Sequence, residues 1–123
     1  MNRNIERPDL AQLRARVVHA ENSQSYVDAC EFQEQLVHVL ERELSCSAGE
    51  LGDAFLKLAS LSFQCGYFKA AQMNVAKAIG YRRMYFGKGH ANVMKAVDLA
   101  KLIQAELAKT EPPRRRRARA LTF

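Results

Sequence analysis

The fold is decided by Leu58-Ala59-Ser60-Leu61-Ser62-Phe63-Gln64-Cys65-Gly66-Tyr67-Phe68-Lys69-Ala70-Ala71-Gln72-Met73-Asn74-Val75-Ala76-Lys77-Ala78-Ile79. Before Gly66, the residues Leu51, Ala54, Phe55, Leu58, Ala59, Leu61 and Ser62 recur at the spacing of one helical face. After it a second helical pattern begins at Phe68. A glycine just past a periodic run is a helix stop, because it tolerates the left-handed conformation that a Cβ penalises. Small residues at Ala59, Ala70, Ala71 and Ala78 are expected to let the helices approach, with Leu58, Phe68, Met73 and Ile79 filling the space between them.

Working outward, the same grammar covers the chain. Pro8 and Asp9 open a first pattern through Leu10, Leu13, Val17 and Ala20, which fades at Glu21–Ser25. A second runs through Tyr26, Ala29, Cys30, Leu36, Val37, Leu40 and Leu44, and Ser45–Gly49 is expected to break it. The third spans about Glu50 to Gln64, and the fourth about Phe68 to Tyr85, ended by Gly87-Lys88-Gly89. The fifth runs from about Ala91 to Lys109, and Pro112-Pro113 stops it for want of an amide donor. No segment alternates with period two, so the class is all-α. Residues 1–8 are expected to form an N-terminal arm, 9–109 the helical domain and 110–123 a basic tail.

Sliding the chain along itself until Leu58 meets Leu99 exposes a repeat. Leu58-Ala59-Ser60-Leu61 then falls on Leu99-Ala100-Lys101-Leu102, Gly66-Tyr67 falls on Ser25-Tyr26, and Met73 falls on Phe32. The unit is a helical hairpin used two and a half times, which predicts a short α-solenoid of five helices. The stretch 58–79 resembles a tetratricopeptide repeat, with Leu-Ala near the centre of the first helix and Gly-x-Phe at the turn. Phe86-Gly87-Lys88-Gly89-His90-Ala91-Asn92-Val93 is similar to the linker of the longer repeats in kinesin light chains, with Ala91 where that linker has proline. The resemblance implies a protein-interaction module with a peptide groove and a structural turn role for His90. The kinesin-light-chain type places asparagines just before the Leu-Ala pair; here those positions read Leu56-Lys57 and Val97-Asp98. Lys57 and Asp98 are therefore the candidate groove residues.

The charge is unevenly placed. The chain carries 19 Lys and Arg against 13 Asp and Glu, a net +6. Arg114, Arg115, Arg116, Arg117 and Arg119 supply five of those charges, and the rest of the chain is close to neutral. Residues 1–53 hold 10 acids and 5 bases, and residues 54–111 hold 9 bases and 3 acids. This arginine segment is open to three readings: a nuclear import address, a salt-sensitive contact to RNA or DNA phosphates, or a site for acidic protein or simply a solvated end. No leader or membrane span is apparent, and three unpaired cysteines fit a reducing compartment, cytoplasmic or nuclear.

No catalytic, metal or cofactor set emerges. His19 and His38 sit on polar helix faces, each without a second His or Cys one turn away, and Gly87-Lys88-Gly89 lacks the spacing of a phosphate loop. Tyr81-Arg82-Arg83-Met84-Tyr85 reads either as a stacking platform for single strands or as a helix C-terminus. One physical point favours interaction. A hairpin cannot bury its own apolar face, and about three units are normally needed for stability. The fifth helix is apolar on more than one side, so Val93, Val97, Leu99 and Leu102 are expected to meet another chain, a second copy or a larger assembly. The expectation is a non-enzymatic adaptor; the alternative is a ribonucleoprotein subunit.

Overall fold

The computed structural model describes residues 10–43 and 46–110. The expected arm at 1–8, the opening Asp9, Leu44 and the arginines at 114–119 lie outside the described residues. Five helices follow in order: α1 (Leu10–Asn22), α2 (Tyr26–Arg42), α3 (Ala48–Gln64), α4 (Phe68–Phe86) and α5 (Ala91–Thr110). The chain is all-α, and no strand occurs among the described residues. Each helix packs on the next, α3 and α4 most extensively. Apart from a light touch between α3 and α5, no other helix backbones come close. This is the expected stack of helical hairpins, with α5 as a half-unit among the described residues. Thr110, placed in the tail by its sequence, is the last residue of α5.

The core has two parts. Leu13, Val17, Leu36, Val37, Leu40, Phe55, Leu58 and Leu61 join α1, α2 and α3, and Ala59, Ala71, Val75 and Ile103 join α3, α4 and α5. Removing a leucine or isoleucine of this kind from water contributes about 1.5–3 kcal/mol. Two expectations about this packing are corrected. Met73 does not fill the core: it is 69% exposed on the outer side of α4. Ala70 is exposed as well, while Ala71, one residue on, is buried at the helix contact. The buried line of α4 is Ala71, Val75, Ala78 and Arg82, and both Ala70 and Met73 fall off it.

The break expected at Ser45–Gly49 is shorter than its composition suggests, because Ala48 and Gly49 already belong to α3. Ser47 Oγ accepts from Glu50 N at 3.1 Å, and Glu50 Oε1 accepts from Ser47 N at 3.3 Å. This reciprocal cap satisfies two amides that would otherwise be orphaned and starts the helix early. Glycine is then needed for packing. A Cβ on Gly49 would stand 3.0 Å from the Tyr85 ring, and one on Gly52 would stand 2.8 Å from Arg82 Cγ. Both glycines let α4 lie close against the first two turns of α3.

In space, the step between the two complete hairpins is one residue longer than matching by identity gives. Ser25 N bonds Ala20 O, as Tyr67 N bonds Ser62 O, at 2.8 and 2.9 Å. Ser25 (φ −92°, ψ 73°) and Tyr67 (φ −86°, ψ 72°) both precede their helices. The buried positions keep the same step: Leu13 with Phe55, Val17 with Ala59, Ala20 with Ser62, Ala29 with Ala71, Gln33 with Val75, Leu36 with Ala78 and Leu40 with Arg82. The counterpart of Gly66 (φ 80°) is therefore Gln24 (φ 60°), rather than Ser25. Matching Tyr26 to Tyr67 by identity hides this slip, since Tyr26 corresponds in space to Phe68.

Candidate functional site

Lys57 lines a cleft of about 350 Å³ between α1 and α3, floored by α2. Arg14, Val18, Gln33, Glu50 and Asp53 share its walls. Lys57 Nζ reaches across to Glu21 Oε1 of α1 at 2.9 Å. Both side chains keep substantial solvent contact, so the pair contributes at most about 1 kcal/mol and is readily exchanged for another partner. Below it, Gln33 Nε2 donates to the Ala54 carbonyl at 3.0 Å, fixing α2 against α3. Asp98 does not line this cleft. It lies exposed on α5 with no ion pair among the described residues. Lys57 and Asp98 thus do not share this cleft.

The last-helix residues divide in the same way. Val93 is 2% exposed and serves the interior, which corrects its expected place on a partner surface. Its line along α5 continues through Ala96 and Ile103, the face turned toward α3 and α4. Leu99 packs partly buried against the second core cluster, so it too is largely committed to the fold. Val97 is half-buried, and Leu102 is 57% exposed. Around Leu102, sequence reasoning missed Met94, which is 43% exposed. Ala91, Met94, Asp98, Leu102 and Ala105 follow the three- and four-residue rhythm of one face, and all are exposed. Stepping back two helical turns from Leu102 finds Met94. Methionine's flexible, polarisable side chain suits surfaces that adapt to a partner.

The end of α4 is occupied internally. Arg82, buried, donates to Asp53 Oδ1 of α3 at 2.7 Å and to the Asn92 carbonyl of α5 at 2.6 Å. Its Nε has no partner. Tyr81 stacks on Phe55 with centroids 5.8 Å apart, and Tyr85 covers Gly49 while meeting Phe86 edge-on. The segment 81–85 is a helix C-terminus in which Tyr81, Arg82 and Tyr85 meet α3, while Arg83 and Met84 are exposed. His90 takes a structural part at the next turn: its Nδ1 accepts from Asn92 N at 3.0 Å, and its ring stacks on Phe86 at 4.5 Å.

The cysteines are unalike. Cys30 is buried, and Cys46 and Cys65 are half-buried. Burial pushes the Cys46 thiol up, and the Glu50 carboxylate adds to the effect, so thiolate is disfavoured at the α2–α3 connection. Burial raises the Cys65 thiol too, with Cys30 beside it as the next cause. Among the described residues no group of three or more His, Cys, Asp or Glu is placed to hold a metal ion. No helix there is long and apolar enough to cross a membrane. No family model matches the chain, and no curated protein matches it.

Proposed function

We propose that this chain is a non-catalytic interaction subunit, built from tetratricopeptide-like hairpins, that docks on another protein chain through the outer face of α5. The observation that carries this reading is the exposed line Ala91, Met94, Asp98, Leu102 and Ala105 on a helix whose opposite face is fully used. In a solenoid that face receives the second helix of α5's own hairpin. Here α5 has no such helix among the described residues, and its apolar side chains are suited to a partner that supplies one. Lys57 and the α1–α3 cleft offer a separate polar surface for an extended segment.

The test is sedimentation together with capture from native extract, comparing the full chain with the double variant Met94→Lys, Leu102→Glu. We expect the variant to keep its helical circular dichroism and to lose self-association or its captured partner. A well-folded full chain that stays monomeric at micromolar concentration and captures nothing overturns the proposal.

A second reading rests on the five arginines between 114 and 119, which carry most of the net charge. In a ribonucleoprotein subunit these would neutralise phosphates, and affinity would fall steeply with salt. Deleting residues 112–123 then abolishes retention on RNA and its salt dependence while leaving partner capture through α5 intact. Unchanged retention excludes the tail.

A further inference from the structure

We propose that Cys30 and Cys65 form a paired thiol site that closes to an intramolecular disulfide, pinning α2 to the last turn of α3. Cys30 lies in the second turn of α2, and its Sγ is 3.5 Å from Ser62 Oγ on α3. Ser62 and Cys65 are three residues apart, so their side chains lie on the same face, one turn from each other. Cys65 caps the end of α3 and packs against the apolar cluster that contains Cys30. The two sulfurs are thus presented to one another by adjacent helices. Cys30 and Ser62 also line an open cleft of about 260 Å³ between α2 and α4. Cys46 sits at the opposite end of α3, next to its N-terminal cap, and has no thiol neighbour among the described residues.

The chemistry needs an oxidant, and a small disulfide such as oxidised glutathione suffices. The half-exposed Cys65 loses its proton and attacks one sulfur of the reagent, releasing one glutathione thiolate and leaving a mixed disulfide on Cys65. The Cys30 thiolate then attacks the Cys65 sulfur and expels the second glutathione thiolate. Two protein thiols are oxidised by two electrons, one glutathione disulfide is reduced to two thiols, and the two protons pass to those thiols. Only Cys65 has to meet the reagent, so burial of Cys30 is no obstacle. Because burial and the neighbouring Cys30 hold the Cys65 thiol above its ordinary value, the first step is slow at neutral pH and speeds up as pH rises.

The cross-link would enclose the chain from Glu31 to Gln64, which is most of α2 and all of α3, and leave the exposed face of α5 untouched. The experiment treats the full chain carrying Cys46→Ser with oxidised glutathione at pH 8, then reads intact mass and thermal unfolding. We expect a mass lower by about 2 Da without a stable adduct, and a melting temperature raised by roughly 10 °C or more, since a loop of this length is strongly constrained when unfolded. Mapping of the oxidised wild-type chain should give a linked Cys30–Cys65 peptide, with Cys46 alone as a glutathione adduct. Stable adducts on Cys30 and Cys65, a covalent dimer, an unchanged mass, or a link to Cys46 would each overturn the proposal.

Discussion

The turn between α1 and α2 and the turn between α3 and α4 share the same backbone hydrogen bonds, yet one places Gln24 at φ 60° and the other Gly66 at φ 80°. The same contrast runs through both hairpins. Burial follows one register in the two, but the larger buried polar residue moves. The first hairpin buries Gln33 where the second has Val75, and the second buries Arg82 where the first has Leu40. Gln33 binds forward to the Ala54 carbonyl of α3, whereas Arg82 binds both back to Asp53 of α3 and forward to Asn92 of α5. The repeat therefore keeps a backbone and a burial register, while each hairpin has its own polar hook to the next helix.

Core truncation breaks this equivalence most strongly. Leu13 and Phe55 are counterparts, but the backbone of α1 lies close to α2 alone, while α3 is enclosed by α2, α4 and part of α5. Phe55→Ala should lose about 4 kcal/mol, and Leu13→Ala about 3 kcal/mol, in urea unfolding. The extra loss reflects the Tyr81 ring stacked on Phe55 and the Lys77 ammonium 5.0 Å from its centroid. Equal losses would show that the first hairpin is as firmly held as the second.

Two helical glycines sharpen the contrast at the next scale. Gly80 faces open space, and Gly80→Ala should stabilise by about 0.5–1 kcal/mol through helix propensity. Gly52→Ala gains the same propensity but drives a methyl into Arg82 Cγ, on a side chain held at both ends. The net outcome should be a loss of about 1–2 kcal/mol. In an Arg82→Ala background the Gly52→Ala change should turn stabilising, because the obstructing side chain is gone. Thermal or urea melts of the wild type, the two single variants and the double variant check the sign reversal.

The turns give the smallest effects. Gln24→Gly removes a side chain from a left-handed residue and should gain about 0.5 kcal/mol, while Gly66→Ala adds a Cβ to one and should lose about 1 kcal/mol. Opposite signs at positions 24 and 66 confirm that Gln24 and Gly66 are counterparts. A null effect at 24 with a gain from Ser25→Gly would restore the pairing of Ser25 with Gly66.

Much of this architecture is legible in the sequence because its signals are local. Gly66 and Gly87-Lys88-Gly89 mark turns through backbone chemistry, and the buried faces of α1 and α3 follow from helical spacing. Ser47 and Glu50 also form a local signal, a Ser-x-x-Glu cap, which the polar composition around it obscures. Other features depend on residues far apart in sequence. Nothing near Arg82 announces that a buried guanidinium will lie against Gly52, and nothing in the spacing of Cys30 and Cys65 shows that two helices bring them together. Met73 reads as a core residue because helical periodicity identifies a face without saying which side is covered. Lys57 and Asp98 match one another by repeat position, but no sixth helix among the described residues stands beside Asp98, whereas Lys57 has Glu21 across its cleft.

The grip of Arg82 on the Asn92 carbonyl makes the terminal helix directional. The first turn of α5 is anchored to two other helices through one side chain, whereas its last turn is held by the packing of the partly buried Leu107 on the second core cluster and by no buried guanidinium among the described residues. Opening of α5 should accordingly begin at its C-terminal end and proceed backward. Amide hydrogen exchange would record this as a gradient, with protection rising from residue 109 toward residue 96. A partner that adds a helix beside Met94 and Leu102 would flatten the gradient, turning a fraying end into the middle of a longer stack.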